Sequence, residues 1–106
     1  MNKTKQRKLE ENGWKVGTIK DFLNLSDADI VLIKLKIDLG RRLKSIRTAK
    51  HISQKDFARK INSTQSRVAK IESGAPDVTL EQLIESLIIA GETPKNIGDV
   101  IATIVI

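Results

Sequence analysis

The stretch Ile52-Ser-Gln-Lys-Asp-Phe-Ala-Arg-Lys-Ile-Asn-Ser-Thr-Gln-Ser-Arg-Val-Ala-Lys-Ile-Glu-Ser-Gly74 holds two short helical patterns separated by a break. Ser53, with Asp56 three positions later, reads as a helix N-terminus, because a side-chain oxygen there satisfies an otherwise unpaired backbone N–H. The helix it opens is expected from Gln54 to Ile61, with Phe57, Ala58 and Ile61 inward. Asn62 and Ser63 interrupt it, and asparagine tolerates the left-handed conformation of a tight turn. Ser63 or Thr64 then caps a second helix, with Val68 and Ile71 inward and Gly74 as its left-handed end. Ala58 is small enough for the two axes to approach closely, while Val68 and Ile71 wedge the second helix against the first. Two short helices held at a fixed angle by a tight turn form a helix–turn–helix.

Helical patterns flank this unit on both sides. Ser26 and Asp29 repeat the capping pattern and open a helix running to about Ala49. Its inward face is expected to carry Ile30, Ile33, Ile37, Gly40 and Ile46, with Leu39 and Leu43 beside them, and its other side Arg41, Arg42, Lys44 and Lys50. Thr79 with Gln82 is the clearest capping box. It opens a helix from Leu80 to Ala90, followed by Gly91, with Leu80, Leu83, Ile84, Leu87 and Ile88 toward the core. The body is therefore all-α. Residues 1–13 lack a hydrophobic period and read as a mobile basic arm carrying Lys3, Lys5, Arg7 and Lys8. The stretch from Trp14 through Phe22 to Leu23 reads as an irregular segment or a short strand. Residues 100–106, Val-Ile-Ala-Thr-Ile-Val-Ile, are nearly all β-branched: either a strand or apolar patch that completes a dimer, or a tail folded on its own core.

The composition narrows the function classes. A chain of 106 residues allows one domain, assigned to residues 14–99 between the arm and the apolar tail. There is no cysteine, so disulfides, thiolate nucleophiles and the usual structural zinc sites are excluded, and the single histidine, His51, cannot build a triad or a His-based metal site. No glycine-rich phosphate loop or metal-ligand cluster is present, so no enzyme activity and no cofactor are expected. No apolar run is long enough to cross a membrane, and the basic start lacks the apolar stretch of a signal peptide, which points to a cytoplasmic protein. Charge is unevenly spread: residues 1–70 hold 18 Lys/Arg against 7 Asp/Glu, whereas residues 71–106 hold Lys95 alone against six acids. A surplus of eleven over seventy residues favours a polyanionic partner. A fixed angle between the two short helices lets the second enter a major groove while the first spans the backbone. The outward positions Gln65, Ser66, Arg67 and Lys70 can all hydrogen-bond with base edges or phosphates.

These residues resemble the XRE, or phage-repressor-like, helix–turn–helix family. The shared features are Ser53-Gln54, Ala58, Gln65-Ser66, Val68, Ile71-Glu72 and Gly74, followed by Leu80 and Leu83, and the resemblance covers about residues 37–91. The lead-in from Gly13-Trp14 to Leu25-Ser26 and the β-branched end are similar to small XRE proteins, including HigA-like antitoxins. The resemblance implies a compact five-helix repressor-like domain with an N-terminal helical extension and a short C-terminal strand. It further implies a sequence-specific regulator, a repressor, that inserts helix 64–73 in the major groove of double-stranded DNA as a homodimer on a palindrome. An autoregulating antitoxin that also masks a toxin protein is its narrower form. A protein-interaction module or a non-specific DNA-binding protein on the same fold is the alternative.

Carried over by position, Gln65 reaches a base edge, with adenine the natural bidentate partner. Ser66 and Lys70 contact bases or the adjacent backbone, and Arg67 a phosphate. Gln54 binds a phosphate at the start of its helix, Thr64 is a further DNA contact at the cap of the reading helix, and Arg42 and Lys44 are flanking backbone contacts. Arg47 and Glu72 stand where the family often places a structural salt bridge, and so fall outside the binding site. Three positions depart from the pattern. Asn62 replaces the usual turn glycine, and His51 replaces the glycine or asparagine that often ends the preceding helix. The loop Ala75-Pro76-Asp77-Val78 lacks a basic residue for phosphate, and Asp77 would repel one, a deficit the basic arm is placed to offset.

Overall fold

A computed structural model describes residues 24–104, and these fall into two units, residues 24–32 and residues 33–104. The arm, the Trp14–Leu23 stretch with any N-terminal extension, and Val105 and Ile106 lie outside the described residues. Among the described residues five helices follow in order: α1 Asp27–Ala49, α2 Gln54–Lys60, α3 Gln65–Ser73, α4 Leu80–Ile89 and α5 Pro94–Ala102. Among the described residues there is no strand.

In the first unit Ser26 and Asp29 cap α1 reciprocally. The Ser26 Oγ accepts from the Asp29 N–H at 3.1 Å, and the Asp29 carboxylate accepts from the Ser26 N–H at 3.0 Å. Those bonds hold the Asp29 carboxyl below its ordinary range. Aspartate thus does the work usually given to glutamate or glutamine.

The second unit is built on a repeated way of ending a helix. After α1, the His51 N–H donates to the Thr48 carbonyl and the Ile52 N–H to the Arg47 carbonyl. The same pair of bonds recurs after α2 through Asn62 and Ser63, after α3 through Gly74 and Ala75, and after α4 through Gly91 and Glu92. At each the pivot residue has positive φ: His51 58°, Asn62 55°, Gly74 69° and Gly91 103°. This is the Schellman arrangement, in which a left-handed residue lets its own N–H and that of the next residue return to the last-turn carbonyls. His51 and Asn62 therefore serve as helix ends in place of glycine, as read from the sequence. Side-chain oxygens cap the starts of α2 to α5: Ser53, Thr64, Thr79 and Thr93, with a complete capping box at Thr79 and Gln82.

The core gathers Leu35, Leu39 and Leu43 of α1, Phe57 and Ala58 of α2, Val68 and Ile71 of α3, Val78 of the following loop, Leu83 and Leu87 of α4 and Ile97 of α5. Each large aliphatic group buried here contributes roughly 1.5–3 kcal/mol by leaving water. On α1 the buried stripe runs every fourth residue, Leu35, Leu39, Leu43 and Arg47. It is centred on the leucines and not on the isoleucines: Ile33, expected inward, is 44% exposed. Ile88, also expected inward, is 50% exposed, because Leu83, Ser86, Leu87 and Ala90 take the buried face of α4.

The strand considered for residues 100–106 is corrected over its described part, since Val100–Ala102 form the last turn of α5 and Thr103 follows as its cap. Thr93 accepts from the Asn96 N–H, Pro94 occupies the first turn and Ile97 is buried. With the helix nucleated, extending it through Val100 and Ile101 closes hydrogen bonds that an unpaired strand would leave open. The connection into α5 is held by one cation of α1, Arg42, and by Lys50 just after that helix. Glu92, buried, accepts from the Arg42 Nε, from the Thr93 N–H at 3.0 Å and from the Asn96 side chain at 2.8 Å. The Arg42 bond in particular holds the Glu92 carboxyl below its usual range. The Lys50 ammonium donates to the Ala90 carbonyl at the end of α4.

Helix α1 meets the end of α3 backbone to backbone. A Cβ on Gly40 would lie 2.6 Å from the carbonyl oxygens of both Ile71 and Glu72. A glycine in mid-helix costs about 0.5–1 kcal/mol relative to alanine, so its presence marks a contact worth more than that. Gly40→Ala is expected to destabilise the protein by about 1–3 kcal/mol in urea unfolding despite the better helix propensity. A neutral or stabilising result would show that α1 and α3 are not in backbone contact.

Candidate nucleic-acid interface

Helix α3 packs on α2 and turns five residues outward: Gln65, Ser66, Ala69, Lys70 and Ser73 are all exposed. Their spacing places them on one continuous stripe of the helix, while Val68, Ile71 and Glu72 are buried on the other side. Thr64, with extended backbone, accepts from the Arg67 N–H at 3.1 Å, so its hydroxyl is a cap. The side chains of Gln65 and Ser66 have no hydrogen-bond partner among the described residues. They stand ready for an external one at the first turn of the helix. Sequence reading missed Ala69 and Ser73, though the intervals from Gln65 to Ala69 and from Ser66 to Lys70 and Ser73 already placed them on the same stripe. A methyl group at position 69 is suited to apolar contact with a base, and it leaves room for close approach.

A buried ion pair fixes the stripe in place. Arg47 of α1 and Glu72 of α3 are 8% and 6% exposed, and their side chains meet in a two-pronged pair, Nε to Oε2 at 2.5 Å and Nη2 to Oε1 at 3.0 Å. The third prong of Arg47, Nη1, donates to the Ile52 carbonyl at 2.7 Å, just before α2. The amide of Gln54, in the first turn of α2, donates to Glu72 Oε1 at 3.0 Å. One buried cluster thus ties together the end of α1, the start of α2 and the end of α3. Hydrogen bonding to Glu72 raises the Arg47 pKa further above its ordinary value, against the opposing effect of burial.

The other residues assigned from the sequence divide by what they touch. Gln54, assigned to phosphate, spends its side-chain amide on Glu72. Arg67, also assigned to phosphate, is 25% exposed at its side chain and donates to the Asp77 carboxylate at 3.0 Å, to the Asp77 carbonyl at 3.4 Å and to Gln82 Oε1. Lys70 lies 3.5 Å from the same Asp77 carboxylate and remains half exposed. For Asp77, desolvation favours the neutral form, but the Arg67 hydrogen bond and the Lys70 charge outweigh it and hold the carboxyl below its ordinary range. Arg42 is paired with Glu92 at the α5 connection, away from the α3 stripe in its contacts. Lys44 is exposed on α1 without a side-chain partner among the described residues. The structure therefore brings Gln65, Ser66 and Lys70 together, keeps Thr64 as the cap, and turns Arg42, Gln54 and Arg67 to internal contacts.

Residues 43–85 match the family model for the helix-turn-helix, spanning the end of α1 to the middle of α4. Over this segment the chain is similar to the XRE-type helix-turn-helix family. The match takes in α2, the turn, α3 and both partners of the buried ion pair, and it supports a DNA-binding regulator. No curated protein and no solved structure matches the chain. Among the described residues, no helix is long and apolar enough to cross a membrane.

Removing Glu72 leaves the Arg47 guanidinium buried without its counter-charge and the Gln54 amide without its acceptor. Glu72→Ala is expected to cost about 3–5 kcal/mol of unfolding free energy, the range for breaking a buried pair by deleting one partner. A loss under about 1 kcal/mol, typical of exposed pairs, would show that the cluster is solvated in solution.

Proposed function

We propose that the chain is a sequence-specific regulator of transcription, a repressor, that reads double-stranded DNA by laying α3 in the major groove. One observation carries this reading: Gln65 and Ser66, exposed and without a side-chain partner among the described residues, share a stripe with Ala69, Lys70 and Ser73 on a helix locked by the Arg47–Glu72 cluster. A groove about 12 Å wide admits one helix, and two uncommitted polar side chains at its first turn suit direct contact with base edges. The basic surplus of residues 1–70 supplies the sequence-independent attraction that brings DNA to the site.

A nine-residue helix contacts too few bases for useful discrimination, so the protein acts as a two-fold dimer on a palindrome. Ile88 and Ile89, each about half exposed at the end of α4, support such a contact, since adjacent apolar side chains gain by leaving water together. Within the half-site Gln65 is the base-reading residue and Ser66 its neighbour. Lys70 contributes charge near the backbone, and Lys44 is a flanking contact.

Selection of bound duplexes from a random pool at about 150 mM salt tests the proposal. It is expected to enrich a palindrome with half-sites about one helical turn apart. On that duplex Gln65→Ala should cost roughly 1–3 kcal/mol of binding, with little loss on random DNA. Equal losses on both duplexes would refute base reading by Gln65, and recovery of random sequence alone would refute specific recognition.

A further inference from the structure

The two cations of α3 converge on a single carboxylate. Arg67 and Lys70 are one turn apart, and both reach Asp77 of the loop between α3 and α4. They are held very differently. The Arg67 guanidinium bonds to the Asp77 carboxylate, the Asp77 carbonyl and Gln82 Oε1, and that oxygen also accepts from the Thr79 N–H at 3.2 Å in the capping box of α4. It is a bolt between α3 and the start of α4, and only a quarter of its side chain is exposed. Lys70 has one contact, at 3.5 Å, on a side chain 56% exposed. Its ammonium has three donors on a flexible stem, so it can turn from Asp77 to another anion at little cost.

We propose that Asp77 competes with the DNA backbone for Lys70 and so lowers the affinity of the reading helix for phosphate irrespective of sequence. The inference rests on α3 being the DNA-binding helix. A phosphate approaching Lys70 must either displace Asp77 or accept a carboxylate a few ångströms away. In both cases one cation of the stripe counts for less than its formal charge. The 19 Lys/Arg of the chain would otherwise attract any duplex. An anion fixed beside the reading face moderates that attraction without touching Gln65 or Ser66. The carboxylate stays ionised throughout the neutral range, because its pKa is lowered and not raised.

The test compares wild type, D77N, K70A and the double variant, each as the full chain, on the selected duplex and on a random duplex of equal length over a salt series. Asparagine keeps an oxygen for Arg67 while removing the charge, and the position is exposed; D77S, read alongside, separates loss of charge from any effect of the new amide. D77N and D77S are expected to bind both duplexes about two- to fivefold more tightly at low salt, the size of one exposed ion pair. The log–log salt slope should steepen by up to about 0.9, equivalent to one further phosphate. Both effects should vanish when K70A is present. Unchanged or weaker binding by the Asp77 variants, or a gain that survives K70A, overturns the proposal while leaving the DNA-binding reading intact. Wild type failing to bind either duplex removes that reading and the proposal with it.

Discussion

The buried pair between Arg47 and Glu72 is the constraint on which the other features turn. Three helices have ends at this point, and each brings a backbone or side-chain group that needs a partner. Arg47 supplies donors in a planar fork to α3 and to the segment before α2, and Glu72 returns one oxygen to Gln54 of α2. Such a pair adds little net stability over a well-packed apolar substitute, because both charges leave water. Its geometry is strict, however, and only one relative placement of α1, α2 and α3 satisfies all of its donors and acceptors. Gly40 shows how close that placement is, since α1 has no room for even a methyl group beneath the carbonyls of Ile71 and Glu72. The proposed reading of bases needs this kind of positional definition: a small rotation of α3 would redirect Gln65 and Ser66.

Much of the fold could be read from local chemistry. Side-chain caps at Ser26, Ser53, Thr64 and Thr79 and the left-handed residues His51, Asn62 and Gly74 each act within a few positions of themselves, so their spacing alone located the helix ends. The face of a helix was harder to place. On α1 aliphatic residues occur on several faces, and the choice of the leucine stripe over Ile33 follows from Gly40 and Arg47, whose partners lie on α3. Helix α5 was hidden by its β-branched end. Propensity in Val100-Ile101 favours a strand, but a threonine cap, a proline in the first turn and the burial of Ile97 decide otherwise.

The candidate site was legible in part for the same reason. Gln65, Ser66 and Lys70 face outward because Val68 and Ile71 must face inward, and helical periodicity settles both at once. Which cations are available was not legible, since a basic residue and its internal acceptor can be far apart in sequence. Arg42 meets Glu92 fifty positions on, Lys50 meets Ala90 after forty, and Arg67 meets Asp77 and Gln82 after ten and fifteen. These cations hold elements together, and a count of charges overstates what the interface offers to a phosphate. The acidic second part of the chain supplies several of their partners, which gives a structural use to the charge asymmetry between residues 1–70 and 71–106.

The central claim is that the outward stripe of α3, held rigidly by the buried cluster, is the surface that meets DNA bases. Amide and side-chain NMR shifts of the full chain, followed while the selected duplex is added, test it most directly. The account predicts the largest changes at Gln65, Ser66, Ala69, Lys70 and Ser73, with the Arg47 and Glu72 side-chain signals keeping their free-protein positions. Changes concentrated on α4 and α5 with α3 silent, or a rearranged Arg47–Glu72 pair in the complex, would contradict it.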